Sequence, residues 1–346
     1  MKIPLLVGGA VLLAGAALAQ MPPRPDSLPH PADETRVHDP VIARENGTYY
    51  VFATGRGISL TTSPDKKMWT RVGRVLPDTP AWTTELVPGS NDYWWAPDIS
   101  FWNKRWHLYY SVSTFGKNRS VVGLATNATL DPKSPNYKWV DEGPIVKSVE
   151  GDNYNAIDPA FAFDENKKPY LFFGSFWSGV RAVELDPATG KQLHPDQAPL
   201  YIATRPRETN GAIEAPFVVH HGDYFYLFAS FDICCRGVQS TYNIRVGRSA
   251  KLTGPYLDRD GKSMLEGGGT LVRTNSTRWK GPGHNAVWHD DDTKQDYLIY
   301  HAYDARANGA SKLRIEPLSW TPDGWPSVPA TPADDPAPAP AQLPPA

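Results

Sequence analysis

The chain has 346 residues, a formal net charge of −2, 21% charged residues and no basic block. That balance excludes a nucleic-acid partner held on a phosphate-facing basic surface. The 12 Trp, 16 Tyr and 12 Phe suit a β-rich interior and permit, without showing, stacking on sugar rings.

The opening stretch MKIPLLVGGAVLLAGAALAQ carries Lys2, an apolar run and then Ala17-Leu18-Ala19. This is the pattern of a secretory signal over 1–19, with an apolar run short for a bilayer span. The mature chain is therefore expected outside the cytoplasm, in the periplasm or the medium, with no membrane contact after cleavage. Residues 20–33 read as an irregular lead-in. Residues 326–346, a Pro/Ala tract, read as a solvated tail. The remaining 34–325 suits one large all-β domain. Cys234 and Cys235 are the two cysteines and stand adjacent, so no disulfide framework exists. A vicinal bridge, two buried thiols and an intermolecular link all stay open.

Five segments share a plan of polar start, apolar strand, polar turn and aromatic strand. In chain order they are DPVIARENGTYYVFATG from Asp39, APDISFWNKRWHLYYSVST from Ala96 and DPAFAFDENKKPYLFFGSF from Asp158. EAPFVVHHGDYFYLFASF from Glu214 and HNAVWHDDDTKQDYLIYHAY from His284 complete the set. Asn, Asp and Gly in the turns tolerate the positive φ of tight hairpins, and the flanks are rich in Tyr, Phe and Val. Starts at 39, 98, 158, 214 and 284 lie 59, 60, 56 and 70 residues apart. Such repeats predict a five-bladed β-propeller; a two-sheet sandwich would not need a fivefold period. The first strand of each blade lines a propeller's channel. Asp39, Asp98 (or Trp95, since the register is open by a few residues), Asp158, Glu214 and His284 are thus expected around the axis.

A single Asp before Pro is ordinarily a turn residue. Several acids at equivalent points of a ring raise one another's pKa, a cost usually tolerated for a cation or for acid–base chemistry. Glycoside hydrolysis needs such a pair: one carboxyl to protonate the leaving oxygen, one carboxylate to activate water or attack carbon.

The segments VHDP (37–40), WAPD (95–98), NAIDP (155–159) and IEAPF (213–217) resemble glycoside hydrolase family 43. More narrowly, CCRG (234–237), STYNIRVGRS (240–249) and GPGHN (281–285) resemble its endo-α-1,5-L-arabinanases. The match runs in order from Val37 to Tyr303. It implies a five-bladed propeller, in agreement with the repeats, and inverting hydrolysis of arabinan by a monomer. It gives Asp39 the role of general base, Glu214 that of general acid and Asp158 that of the carboxylate holding the acid's pKa up. Inversion calls for roughly 6.5–9.5 Å between base and acid.

The resemblance also places His284 on the axis, facing a metal ion or ordered water, with calcium the expected cation. Calcium prefers oxygen ligands, so waters would complete its shell; the other reading is a histidine hydrogen-bonded to the carboxylates. Trp95, Asn155, His38, Phe176 and Arg236 are candidate substrate contacts. Blade packing is the alternative for Trp95, the core for Phe176 and its neighbour Trp177, and loop support for Arg236. The rival functions are an exo-acting α-L-arabinofuranosidase or β-xylosidase on the same fold, and a carbohydrate-binding propeller without catalysis.

Overall fold

The computed structural model describes residues 28–330. The expected signal sequence over 1–19, the start of the lead-in and the tail beyond 330 lie outside the described residues. Among those described, the strands form five antiparallel sheets, each built on a meander; the short strand Gly55–Arg56, from within the blade 1 stretch, pairs onto the first strand of blade 2. Blade 1 comprises Val41–Glu45, Thr48–Ala53, Ser59–Ser63 and Met68–Arg74; blade 2 comprises Tyr93–Trp102, Arg105–Val112, Ser120–Asn127 and Val140–Ser148. Blade 3 comprises Ala160–Phe163, Pro169–Phe173, Val180–Glu184 and Leu200–Ala203. Blade 4 comprises Ile213–His221, Tyr224–Phe231, Asn243–Ser249 and Thr270–Arg273; blade 5 comprises Trp279–Asp290, Gln295–Asp304, Ala310–Trp320 and Pro326–Ser327. Each first strand touches the first strand of the next blade, and blade 5 meets blade 1, so the ring is closed. This is the five-bladed propeller that the repeats predict.

Local chemistry sets the hairpins. Asn46 and Gly47, at φ 48° and 80°, make the two-residue turn between the paired Glu45 and Thr48, as the left-handed twist of such turns requires. Between blades the core is aromatic. Phe52, Tyr109, Phe172, Phe228 and Ile299 occupy one equivalent second-strand position each and are all fully buried. Full burial of such a side chain stabilises by about 1.5–3 kcal/mol.

Among the described residues no strand is exchanged between the chain ends to close the ring. Blade 1 instead meets blade 5 through Leu313 N–H to Thr35 O (2.9 Å) and Ser311 Oγ to Val37 O (2.6 Å). Behind these bonds, Val41 and Ile42 share one apolar cluster with Ala286, Ile299 and Leu313.

The fold reaches past the expected bounds at both ends. His30–Pro31, within the supposedly irregular lead-in, pairs with Trp69 and Met68 on the outer edge of blade 1. Pro326–Ser327, assigned to the tail on composition, pairs with Trp320 and Ser319 as the outer strand of blade 5. Outer strands need only one bonded edge, so proline is tolerated there and composition does not reveal them. Among the described residues no helix is long and apolar enough to cross a membrane.

Candidate active site

Five non-glycine residues at the start of the first strands stand in the left-handed region: Asp39, Ala96, Asp158, Ala215 and His284, at φ 46° to 60°. Each lies two residues before the partner of that buried second-strand position. They therefore mark the true fivefold position. Such conformations persist where surrounding structure holds them, and here the preceding blade does so. Thr54 Oγ1 accepts from Ala96 N–H (2.8 Å), Ser111 Oγ from Asp158 N–H (2.9 Å) and Ser230 Oγ from His284 N–H (2.8 Å). His301 Nδ1 accepts from Asp39 N–H (3.1 Å). Blade 3 differs, because its equivalent residue is Gly174, where a Cβ would lie 2.4 Å from Gly179 O. Ala215 N–H turns instead to Asp158 Oδ2 (3.1 Å). That bond fixes the Asp158 carboxylate beside the neighbour of Glu214.

The same register corrects the expectation for blade 2. The hub position belongs to Ala96, while Trp95 occupies the place that Glu214 takes in blade 4. Asp98 sits farther down its strand. Its buried Oδ2 accepts from Phe161 N–H of blade 3 at 2.7 Å, and burial, outweighing its backbone donors, raises it to about 7. It joins blades and does not line the cleft.

Asp39, Asp158 and Glu214 meet in one cleft of about 1160 Å³ that draws its walls from all five blades. Asp39 Oδ1 lies 2.8 Å from His38 Nδ1 and 3.1 Å from His284 Nδ1, and Oδ2 accepts from Thr54 Oγ1 at 2.5 Å. Burial alone would raise this carboxyl; His38 and His284 outweigh it and hold Asp39 well below the usual carboxylate range. His301 also approaches Oδ1, at 3.5 Å. Its Nδ1 already accepts the Asp39 N–H, and burial lowers its pKa, so this ring is neutral and the approach is no salt bridge. His284 behaves oppositely: burial opposes its charge, but Asp39, Asp158 and Glu214 push it up to about 9. The axial histidine is thus a cation among three acids.

Glu214 is held at both oxygens. Ser175 Oγ donates to Oε2 (2.6 Å) and Tyr242 Oη to Oε1 (2.7 Å). Asp158 is pushed up to about 8 by burial, with Glu214 and Asp39 adding to it and His284 opposing. The cluster therefore offers an ionised carboxylate at Asp39 and, at Asp158, a carboxyl that keeps its proton.

The expected cation finds a poor donor set. His284 turns Nδ1 to Asp39, leaving one ring nitrogen for a cation or a water. His38, Asp39 and His301 also cluster. Both His38 nitrogens and His301 Nδ1 are already committed, to Asp39 and to Tyr303. Calcium, which seeks six to eight oxygens, would here need waters for most of its shell.

His38, Trp95, Asn155 and Phe176 line the cleft, and Asn155 Oδ1 is buried without a hydrogen-bond partner. Arg236 does not: it is exposed in the loop after the cysteines, and its N–H bonds Ser240 Oγ at 3.0 Å. The supporting residues Thr54, Ser175, Tyr242, His301 and Tyr303 escape sequence reasoning, as does the cleft-lining Phe115, 82% exposed. One signal was present. The second strands of four repeats end on a hydroxyl or imidazole at one equivalent position, Thr54, Ser111, Ser230 and His301, and in the third repeat Ser175 follows Gly174.

The profile of glycosyl hydrolases family 43 matches residues 29–326. The extracellular endo-α-(1→5)-L-arabinanase 1 of Bacillus subtilis is 43% identical over 86% of this chain and 88% of its own. The extracellular exo-α-(1→5)-L-arabinofuranosidase ArbA of Cellvibrio japonicus is 42% identical over 87% and 89%. Among solved structures, an exo-1,5-α-L-arabinanase from a bovine ruminal metagenomic library superposes with a TM-score of 0.83 at 47% identity, covering 86% of this chain and 98% of that one. With its acids gathered at the hub of the matching fold, this chain belongs to glycosyl hydrolases family 43 and is a glycoside hydrolase.

Proposed function

We propose that the protein is exported and hydrolyses internal α-1,5-L-arabinofuranosidic bonds of arabinan with inversion. The observation that carries this reading is the unequal treatment of the acids: two histidines keep Asp39 ionised, while burial leaves Asp158, which feels the Glu214 charge, protonated. Asp39 takes a proton from water as it attacks the anomeric carbon. Glu214 donates its proton to the departing glycosidic oxygen, and Asp158 helps keep that proton in place. His284 offsets the negative charge of the cluster. The substrate follows from the arabinan-degrading relatives, and export from the extracellular ones together with the amino-terminal signal pattern. A cleft of about 1160 Å³ with aromatic rim residues Tyr93, Phe115 and Trp177 suits a chain crossing the site. Similarity to two exo-acting enzymes favours the rival, release of units from a chain end.

Product analysis on linear α-1,5-arabinan separates the two. A ladder of arabino-oligosaccharides, with no nitrophenol released from aryl arabinofuranoside or xyloside, supports the endo reading. Monosaccharide or one short product from the outset sinks it. Proton NMR of the first product should show the β-anomer; an initial α-anomer would overturn inversion.

The rate should respond to pH through the Asp158–Glu214 pair. A group raised to about 8 keeps its proton below that pH, so kcat/KM should hold through neutrality and fall above about pH 8. Asp158→Asn removes the carboxyl that titrates there, and the alkaline limb should move to lower pH. An unmoved limb would remove Asp158 from this role.

Gly283 in the GPGHN stretch tests the support of the acid. A Cβ there would lie 1.9 Å from Tyr242 Cδ1, so Gly283→Ala must displace the ring that donates to Glu214. A kcat loss of about 10-fold or more is expected, with a lowered melting temperature. Wild-type turnover would show that Tyr242 is dispensable.

A further inference from the structure

The adjacent cysteines had no role in the sequence reading. In the structure they form a disulfide, and both line the cleft. Cys235 stands at φ 66°, a left-handed conformation that non-glycine residues seldom hold unaided. The covalent ring with Cys234 restrains the peptide there. In that pose Cys235 N–H donates to Tyr303 Oη at 2.8 Å. Tyr303 Oη lies 2.9 Å from His38 Nε2, and His38 Nδ1 lies 2.8 Å from Asp39 Oδ1. Because Tyr303 accepts from the loop, its own proton is free for His38 Nε2. His38 then turns a proton on Nδ1 toward Asp39 Oδ1. Tyr303 is buried, and its ring packs within 6.0 Å of both His38 and His301. The chain from disulfide to Asp39 is thus walled by protein on one side and by the cleft on the other.

We propose that the Cys234–Cys235 disulfide is a positioning element of the active site, setting the orientation of Asp39 through Tyr303 and His38. This rests on the reading of Asp39 as the base. It assigns the bridge to catalysis, beyond any service to stability, because its reach ends on the carboxylate. An oxidised, a reduced and a bridge-free enzyme should therefore bind arabinan alike and turn it over differently.

The test compares wild type, wild type reduced with a phosphine, Cys234→Ser/Cys235→Ser, Tyr303→Phe and the triple variant on linear α-1,5-arabinan. Alkylation and mass spectrometry count the free thiols, and circular dichroism checks the fold. Loss of the bridge should lower kcat by about 10- to 100-fold, the scale of a misplaced catalytic group, with KM changed less than about 2-fold. Reoxidation should restore kcat. Tyr303→Phe should cost a similar amount, and the triple variant should be no worse than either, because all act through one chain of contacts. Unchanged kcat after verified reduction would overturn the proposal. So would losses that multiply in the triple variant, a change confined to KM, or unfolding on reduction, which would make the bridge a structural staple. If the double variant does not fold, the reduced wild type carries the comparison. An oxidised wild type inactive on arabinan would instead refute the functional reading itself.

Discussion

Glu214→Gln will fold as the wild type does and lose about 10²- to 10⁴-fold of kcat on arabinan, the usual worth of a positioned general acid. The amide is nearly isosteric: of Ser175 Oγ and Tyr242 Oη, one can still donate to its remaining oxygen and the other can accept from its amide nitrogen. What it lacks is a proton for the departing glycosidic oxygen. The loss should therefore depend on the leaving group. An arabino-oligosaccharide carrying a dinitrophenyl aglycone departs without protonation, and on it the variant should recover most of the wild-type rate. Steady-state kinetics on the two substrates, with a melting curve as control, makes the measurement. Equal losses on both would mean that Glu214 does something other than donate a proton.

Asp39→Asn should cost a comparable or larger factor, and without that dependence. Activating water is needed whatever leaves, so both substrates should slow by about 10²-fold or more. Thr54 from its own blade, the adjacent His38 and His284 from blade 5 converge on this carboxylate, and His301 of blade 5 accepts from the Asp39 N–H. The asparagine would keep most of the shape and lose the charge that His38 and His284 stabilise. Binding of arabino-oligosaccharides, followed by calorimetry, should survive. Retained turnover in a folded variant would remove Asp39 as the base and with it the inverting scheme.

The two variants differ in what they leave behind. In Glu214→Gln the Asp39–His284 pairing is intact, whereas Asp39→Asn breaks it.

The fold was legible because its determinants are local. An Asn46–Gly47 turn between Glu45 and Thr48 closes a hairpin wherever it occurs, and an aromatic strand such as Tyr49 to Phe52 must be covered on both faces. Five copies of that plan in one chain leave few architectures. Asp39, Asp158 and Glu214 were legible too, since each stands at a repeat start. The edges were less so. Pro326–Ser327 and His30–Pro31 are outer strands whose composition is that of loops.

The register at the hub needed the tertiary structure. Asp98 looks like the blade 2 counterpart of Asp39, yet the left-handed residue is Ala96, and only cross-strand pairing decides between them. The distribution of charge needed it as well. A histidine in GPGHN reads equally as a metal ligand or a hydrogen-bonding partner until three carboxylates are found around it. Sequence alone determined the number of blades, their turns and the acids that begin them, because those rest on residues a few positions apart. Closure of the ring decided which hydroxyls hold those acids, that Arg236 stays outside the cleft, and that Cys235 reaches Asp39 through Tyr303 and His38. A hydroxyl at a strand end has the same local cost facing water or facing the next blade, so nothing short of the assembled ring distinguishes the two.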